Sequence, residues 1–309
     1  MKYQELDIPM IEFQNVTKTY GKKVAVSSVT LEVKDHEILG LAGTNGAGKT
    51  TCIKIATGIV LPDSGDVTID GMSVRKKRSS ALKNVGWIPE YPILENLDTP
   101  DNLFSDFGTL FDYSRFETKI KAENVMAKVG LKNLNDKRFS SFSNGMKKRF
   151  LIALALFQNP KNYLFDESFS GLDPVGIKML KDILLELRDS GSAIILSSHI
   201  LPEIEETADR VAIIHNGSII DISKLTDIMN STVSEIKVKG SRNIVVPILE
   251  RIGDVSEFNE KYLIRIKDGN IKNAHDLVKF LDLNGLKLES INYGGERLEE
   301  FFLRKIKNK

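Results

Sequence analysis

The sequence Gly-Thr-Asn-Gly-Ala-Gly-Lys-Thr-Thr occupies residues 43 to 51 and follows a short apolar run at residues 38 to 41. Its spacing matches the phosphate-loop pattern G-x-x-x-x-G-K-[ST]. In that pattern, glycines let backbone N–H groups surround phosphate oxygens without a Cβ in the way. The residues after Thr50 predict a helix, whose unpaired N–H groups at the amino end favour an anion. This stretch therefore predicts a strand, a loop and a helix that hold a nucleoside triphosphate.

Two side chains of this loop, the Walker A motif, have distinct expected roles. Lys49 supplies a positive charge to the β- and γ-phosphates, and the hydroxyl of Thr50 binds Mg²⁺. A Gly-rich turn without a ligand is the alternative, but chance production of the motif at this Gly and Lys content is roughly one in a hundred. The other residues predicted to bind the nucleotide here are Gly43, Thr44, Asn45, Gly46, Ala47, Gly48 and Thr51.

Composition limits the class of protein. The 309 residues include 43 Lys+Arg and 42 Asp+Glu, so the net charge of +1 provides no overall field for nucleic acid or an acidic membrane surface. Cys52 is the only cysteine, which excludes an intramolecular disulfide and makes a cytosolic location the expected one. No run approaches the ~18 apolar residues of a membrane span. We therefore expect another chain to supply any membrane-spanning part.

Periodicity along the chain predicts two domains. Residues 11–16 and 29–33 alternate between apolar and polar side chains, as in antiparallel strands, whereas residues from about 91 to 160 have helical spacing. The predicted fold class is α/β: a phosphate-loop NTPase core at residues 1–226, with a mixed sheet, an N-terminal antiparallel β subdomain and an inserted helical lobe. A weak βαββαβ repeat at residues 231–309 predicts a small α+β domain with a ferredoxin-like fold.

A second buried strand is predicted to deliver two carboxylates to the nucleotide. Residues 163–167 read Tyr-Leu-Phe-Asp-Glu, and ligands bind at the carboxyl ends of strands in open α/β sheets. An acid at the position of Asp166 holds Mg²⁺ in phosphate-loop NTPases. Asp173 and Pro174 predict an N-cap and the first turn of the next helix. These motifs alone are equally consistent with a kinase, a GTPase or a motor ATPase.

Residues 142–149 read Phe-Ser-Asn-Gly-Met-Lys-Lys-Arg and resemble the signature motif of ABC ATPases. The acidic pair begins 23 residues after Ser143, since 166 − 143 = 23, and this spacing is similar to that of the family. The resemblance covers roughly residues 11 to 221. The region after it resembles the accessory domain found on some exporter ATPases of the ABC-2 class.

The resemblance implies roles for individual residues. Asp166 is implied to be the metal-binding acid and Glu167 the catalytic base that orients the attacking water. His199 is similar to the switch histidine that contacts the γ-phosphate, which makes Glu167, His199 and Lys49 the implied catalytic set. Tyr20 resembles the aromatic residue that stacks on adenine.

The signature motif is implied to act on a different nucleotide. Ser143 and Gly145 offer a hydroxyl and a bare backbone at a helix amino end to the nucleotide of a second subunit. Residues 170–174, Ser-Gly-Leu-Asp-Pro, resemble the loop that crosses to that subunit.

The chain departs from the family pattern at three places. Glu90 stands where many members have the glutamine that links the metal site to the transmembrane partner, although its carboxylate can still reach Mg²⁺. The signature motif has Phe142, Asn144 and Met146 where Leu, Gly and Gln are usual. Ser168 and Phe169 follow the acidic pair where Pro and Thr are common.

The function implied by the resemblance is that of the ATP-binding and ATP-hydrolysing subunit of an exporter, with ATP and Mg²⁺ as cofactors. Its implied partners are separate transmembrane permease subunits and a second cassette, either an identical chain or a close paralogue, at the cytoplasmic face of the membrane. The alternatives are a soluble ABC ATPase acting on nucleic acid or ribosomes and a regulatory ATP-binding module. The single cassette, the near-zero net charge and the lack of a heptad run argue against nucleic acid as a partner.

Overall fold

The computed structural model describes residues 10–91, 94, 97–229, 232–258, 261–271 and 273–307. Contacts between Cα atoms divide the chain into two compact units, with the boundary between Ile222 and Ser223. No helix among the described residues has both the length and the apolar character that crossing a membrane requires.

Among the described residues, the first unit contains nine strands, seven α-helices and the first five residues of a tenth strand, β10. Its strands are β1 (Ile11–Tyr20), β2 (Lys23–Val33), β3 (Glu37–Ala42), β4 (Ser64–Ile69), β5 (Met72–Ser73), β6 (Val85–Ile88), β7 (Asn162–Asp166), β8 (Ala193–Ser198), β9 (Arg210–His215) and β10 (Ser218–Lys224). Its helices are α1 (Lys49–Ala56), α2 (Arg78–Leu82), α3 (Pro100–Leu110), α4 (Arg115–Lys128), α5 (Asn144–Gln158), α6 (Pro174–Asp189) and α7 (Leu201–Thr207).

The strands form two sheets. An antiparallel sheet has the order β2-β1-β4-β5, and a six-stranded sheet has the order β10-β9-β3-β8-β7-β6. In the larger sheet β3 is parallel to β8 and β9, and β7 is parallel to β6 and β8. The predicted α/β fold with an antiparallel β subdomain is therefore confirmed.

The larger sheet is buried on both faces, and its strands are nearly continuous apolar runs for that reason. In β3, Ile38 belongs to the core shared with α5, α6 and the helical lobe. Its neighbours Leu39 and Leu41 point to the opposite face and pack in the core shared with α1 and the antiparallel sheet. Two hydrophobic cores thus hold the carboxyl ends of β3, β7 and β8 in fixed positions.

The helical lobe is built from α3 and α4, which pack against α5. Ser114 caps α4 in a capping box with Glu117, which satisfies N–H groups at the start of the helix. Phe104 of α3 contacts two aromatic rings of α5, with centroid distances of 5.4 Å to Phe150 and 5.0 Å to Phe157. The lobe therefore depends on aromatic packing against the helix that begins at the signature motif.

The second unit is a four-stranded antiparallel sheet with helices. Its strands are β11 (Thr232–Lys239), β12 (Gly253–Phe258), β13 (Lys261–Ile266) and β14 (Lys287–Gly295), in the spatial order β12-β13-β11-β14. Its helices are α8 (Leu225–Met229), α9 (Arg242–Leu249), α10 (Ala274–Leu283) and α11 (Leu298–Lys307). Residues such as Ile236, Val245 and Leu277 give this unit its own hydrophobic core.

Candidate active site

The phosphate loop joins the end of β3 to the start of α1, as predicted. Gly48 has φ 116° and is the N-cap of α1, and no side chain caps the helix. A Cβ at Gly43 would lie 2.6 Å from the carbonyl oxygen of Ile214, so a larger residue does not fit. Thr44, Asn45 and Gly46 are exposed at the top of the loop, whereas Ala47 is buried. The loop thus presents a bare backbone and an uncapped helix end, which suit an anion.

Lys49, the first residue of α1, extends back into the loop. Its Nζ donates to the carbonyl oxygens of Gly43 (2.7 Å) and Thr44 (3.3 Å). The same atom lies 3.1 Å from Oε1 of Glu167, and both side chains are less than 10% exposed. The predicted phosphate-binding lysine and the predicted base are therefore in direct contact.

Glu167 follows β7 in an unusual backbone conformation. Its φ is 45°, in the left-handed region that a residue with a Cβ adopts at a cost of about 1–2 kcal/mol. Its backbone N–H donates to the carbonyl oxygen and the hydroxyl of Ser197 at 3.2 and 3.1 Å. Strained conformations of this kind are concentrated at functional sites. Here the conformation accompanies a carboxylate that contacts two other candidate site residues.

The second oxygen of that carboxylate contacts the predicted switch histidine. Nδ1 of His199 lies 2.7 Å from Oε2 of Glu167, and the backbone N–H of His199 donates to the same oxygen at 3.3 Å. The histidine side chain is 43% exposed and the glutamate side chain only 9%. The structure therefore brings these three residues together, with Lys49 at one oxygen of the Glu167 carboxylate and His199 at the other.

Asp166 and Thr50 form an adjacent cluster of oxygen atoms. The hydroxyls of Thr50 and Ser197 donate to Oδ1 of Asp166 at 3.1 and 2.9 Å. Burial raises the pKa of Asp166, and these two hydrogen bonds act in the opposite direction. Among the described residues, no three His, Cys, Asp or Glu side chains form a group that could hold a metal ion. A carboxylate and a hydroxyl still suit Mg²⁺, which is bound mainly through one or two carboxylates, substrate phosphates and water.

Glu90 and Tyr20 lie in less defined surroundings. Glu90 is half-buried two residues after β6, and its charge contributes to the raised pKa of Asp166. A hydrogen bond to Glu90 raises the pKa of Tyr91. Tyr20 is the last residue of β1 and is 47% exposed, with Nζ of Lys18 located 5.7 Å from its ring centroid. An exposed ring at this position is free to stack on a base.

The signature motif forms the start of α5, as its pattern indicated. Ser143 is the N-cap of this helix, and its hydroxyl accepts from the backbone N–H of Met146 at 3.2 Å. A Cβ at Gly145 would lie 3.2 Å from the carbonyl oxygen of Gly171. Among the described residues, no hydrogen bond or ion pair joins Ser143 or Gly145 to the Lys49–Glu167 pair.

Three contacts at this site were not predicted from the sequence. Ser197 bonds to Asp166 and to the backbone of Glu167. Arg149 forms an ion pair with Asp173, the N-cap of α6. Lys148 is buried between the two acidic segments, and its position in the apolar stripe with residues 151, 152 and 155 could have indicated this burial.

Similarity to known proteins identifies the family of the chain. Residues 26–170 match the family model described as ABC transporter. The chain is 34% identical over 303 residues to the uncharacterized ABC transporter ATP-binding protein YcbN of Bacillus subtilis (strain 168), and the match covers 96% of this chain and 97% of that protein. The chain belongs to the ABC transporter family. The predicted resemblance is confirmed, and this ABC transporter protein is an ATP-binding ATPase.

Two further similarities support the family assignment. The bacitracin transport ATP-binding protein BcrA of Enterococcus faecalis is 32% identical to this ABC transporter protein over 302 residues, with 96% of each chain covered. A solved structure of the ATP-binding subunit of an ABC transporter is similar with a TM-score of 0.67 and 30% identity, covering 71% of this chain and 91% of that one. The transporter function is thereby favoured over a soluble ATPase that acts on nucleic acid or ribosomes.

Proposed function

We propose that this ABC transporter ATPase hydrolyses ATP to drive export through separate transmembrane permease subunits at the cytoplasmic face of the membrane. The observation that carries the proposal is the position of Glu167, whose two carboxylate oxygens contact Lys49 and His199 beside the Thr50–Asp166 pair. The relationship to a bacitracin transport protein supports transport of a substrate out of the cell. The chemistry of that substrate is decided by residues of the permease.

In the proposed mechanism, ATP displaces Glu167 from Lys49. The ammonium of Lys49 and the backbone N–H groups of residues 43–51 then bind the β- and γ-phosphates. Thr50 Oγ1 and Asp166 Oδ1 would hold Mg²⁺, and Glu90 would supply a further carboxylate oxygen. When bound, Mg²⁺ neutralises negative charge on the phosphates.

The released carboxylate of Glu167 orients the attacking water and accepts its proton. With a proton on each ring nitrogen, His199 donates to Oε2 of Glu167 through Nδ1 and to the γ-phosphate through Nε2. Catalysis in such a site is mostly positioning and charge stabilisation, because phosphoryl transfer needs little covalent help from the protein. Tyr20 stacks on the adenine ring.

The proposed unit of function is a pair of cassettes, either two copies of this chain or this chain with a close paralogue. Ser143 is exposed at the amino end of a fifteen-residue helix, and in the described part of the chain no hydrogen bond or ion pair joins it to its own Lys49–Glu167 pair. We place Ser143 and Gly145 on the nucleotide of the second cassette. We assign residues 1–226 to the ATPase domain, with its helical lobe at about 91–160, and residues 231–309 to a ferredoxin-like accessory domain.

Glu167→Gln tests this mechanism. The variant should bind ATP and form a dimer in size-exclusion chromatography with ATP and Mg²⁺. Its rate of ATP hydrolysis should be at most about 10⁻² of the parent rate, because the amide cannot accept the proton of the water. Glu206→Gln is the matched control, since Glu206 pairs with Lys181 on the surface. A Glu167→Gln protein that binds ATP, hydrolyses it and stays monomeric would contradict the two-cassette mechanism.

Lys49→Ala should abolish ATP hydrolysis. If the parent protein shows no hydrolysis with or without membranes, a regulatory ATP-binding module is favoured instead.

A further inference from the structure

A lysine is buried in the helix that begins at the signature motif. Lys148 is five residues after Ser143 on α5 and is 2% exposed. Its Nζ donates to the backbone carbonyl oxygens of Pro89 (2.8 Å), Glu90 (2.8 Å) and Glu167 (3.4 Å). An ammonium group has three N–H donors, so these three acceptors use all of them.

The three acceptors belong to two segments that leave the sheet at different strands. Pro89 and Glu90 follow β6, and Glu167 follows β7. Lys148 itself is 58 residues from Glu90 and 19 from Glu167 along the chain. One side chain therefore joins the helix of the signature motif to both segments that carry an acidic residue of the candidate site.

A charged side chain is a costly way to fill this position. Lys148 is 2% exposed, and taking an ammonium group out of water costs free energy that its hydrogen bonds have to offset. An apolar residue of similar volume would pack in the same stripe of α5 without this cost. Packing alone therefore does not account for a lysine here.

Acidic residues lie on both segments that this lysine holds. Glu90 follows β6 and Glu167 follows β7, and these two strands are neighbours in the sheet. Lys148 is a buried cation whose hydrogen-bond partners include the backbone of Glu90 itself. A buried positive charge and the negative charges of two acidic segments thus occur together.

We propose that Lys148 is a positioning residue, which fixes the Glu90 segment and Glu167 relative to the signature helix and offsets the negative charge of Glu90. The proposal rests on the proposed role of Glu167 in hydrolysis. Lys148 does not touch the reacting atoms but acts through the backbone of the residues that do. In this proposal, a movement at Ser143 reaches the backbone of Glu90 and Glu167 through Lys148.

The test combines Lys148→Gln with Glu90→Gln and follows both turnover and the local structure. Glutamine at 148 has two donors and no charge, so kcat should fall by about tenfold while the KM for ATP stays within about threefold of the parent value. Removing the Glu90 carboxylate in the double variant should restore kcat by about fivefold relative to Lys148→Gln. Lys161→Gln, an exposed lysine just before β7, is the control and should match the parent.

Trp87 provides a measurement that does not depend on hydrolysis. It is the only tryptophan of the chain and lies on β6, two residues before Pro89. Release of the Pro89–Glu90 segment in Lys148→Gln should raise the acrylamide quenching constant of Trp87 fluorescence by about twofold. If the parent does not hydrolyse ATP, the proposed function fails, and the quenching experiment still decides the role of Lys148.

The outcomes separate positioning from a plain structural role. Parent-like kcat together with parent-like quenching in Lys148→Gln would overturn the proposal. A loss of kcat that Glu90→Gln does not restore would overturn the charge-offset part of it. If Lys148→Gln does not fold, the double variant should fold because its charges are matched. Failure of both the single and the double variant to fold would show that Lys148 is needed only for the packing of the core, and would overturn the proposal.

Discussion

The ion pair between Lys49 and Glu167 predicts that removing the carboxylate tightens nucleotide binding. The two charged atoms are 3.1 Å apart and the side chains are only 5% and 9% exposed. Lys49 cannot hold Glu167 and the phosphates with the same geometry, so a nucleotide has to compete with the carboxylate. Glu167→Gln weakens this competition because glutamine keeps the size of the side chain and loses the charge.

The size of the effect follows from the distance. At an effective dielectric constant of about 20, Coulomb's law gives an attraction of about 5 kcal/mol for unit charges at this separation. Desolvation offsets most of the attraction in a buried pair, and the amide oxygen of glutamine can still accept a hydrogen bond. A net gain of about 1–2 kcal/mol in the free energy of nucleotide binding corresponds to a dissociation constant that is about 5- to 30-fold lower in Glu167→Gln.

Isothermal titration calorimetry of Glu167→Gln and the parent, with a non-hydrolysable ATP analogue and with ADP, measures this gain and identifies its cause. Competition for Lys49 predicts tighter binding of both nucleotides, since both contact the lysine through the β-phosphate. The competing explanation, repulsion between Glu167 and the γ-phosphate, predicts a gain in affinity for the ATP analogue alone. Equal dissociation constants for variant and parent, or a gain confined to the analogue, would refute the reasoning. Glu206→Gln should bind both nucleotides like the parent.

Further variants test the loop, the helical lobe and the buried thiol. Gly43→Ala places a Cβ 2.6 Å from the carbonyl oxygen of Ile214, and urea denaturation should show a loss of about 1–3 kcal/mol in the free energy of unfolding. Phe104→Ala empties a 1% exposed site beside Phe150 and should cost about 3–5 kcal/mol in the same measurement. Burial raises the pKa of Cys52 to about 12, so a thiol reagent at pH 8 should label it only after unfolding. Full labelling of the folded protein within seconds would contradict that expectation.

The parts of the site that depend on local sequence were predictable. The phosphate loop, the helix amino end at Ser143 and the N-cap Asp173 with Pro174 each follow from a few adjacent residues, and all have the expected local structure. Turn and cap geometry is set by the conformational limits of these residue types and by short-range hydrogen bonds. The sequence therefore located the elements that carry the site.

The contacts between those elements were not predictable in the same way. The burial of Lys148 depends on carbonyl groups 58, 59 and 19 residues away. In its left-handed conformation, the backbone N–H of Glu167 donates to Ser197, which lies 30 residues further along the chain. Neither residue type favours its observed state, since lysine avoids burial and glutamate avoids positive φ. Tertiary structure overrides the local preference at both positions.

The register of the central strands links the fold to the chemistry. Asp166 is opposite Ser197, and Ser197 is opposite Leu41, so the phosphate loop and the acidic pair leave the sheet at the same level. In a parallel sheet buried on both faces, apolar residues occupy nearly every position, and alternation alone specifies the register weakly. A shift of one residue between β7 and β8 would place Leu196 or Ser198 opposite Asp166 in place of Ser197, and the shift to Leu196 would remove one hydroxyl donor from this buried carboxylate. The hydrogen bond from Ser197 to Asp166 therefore stabilises the observed alignment of β7 and β8 over the shift that brings Leu196 to the carboxylate.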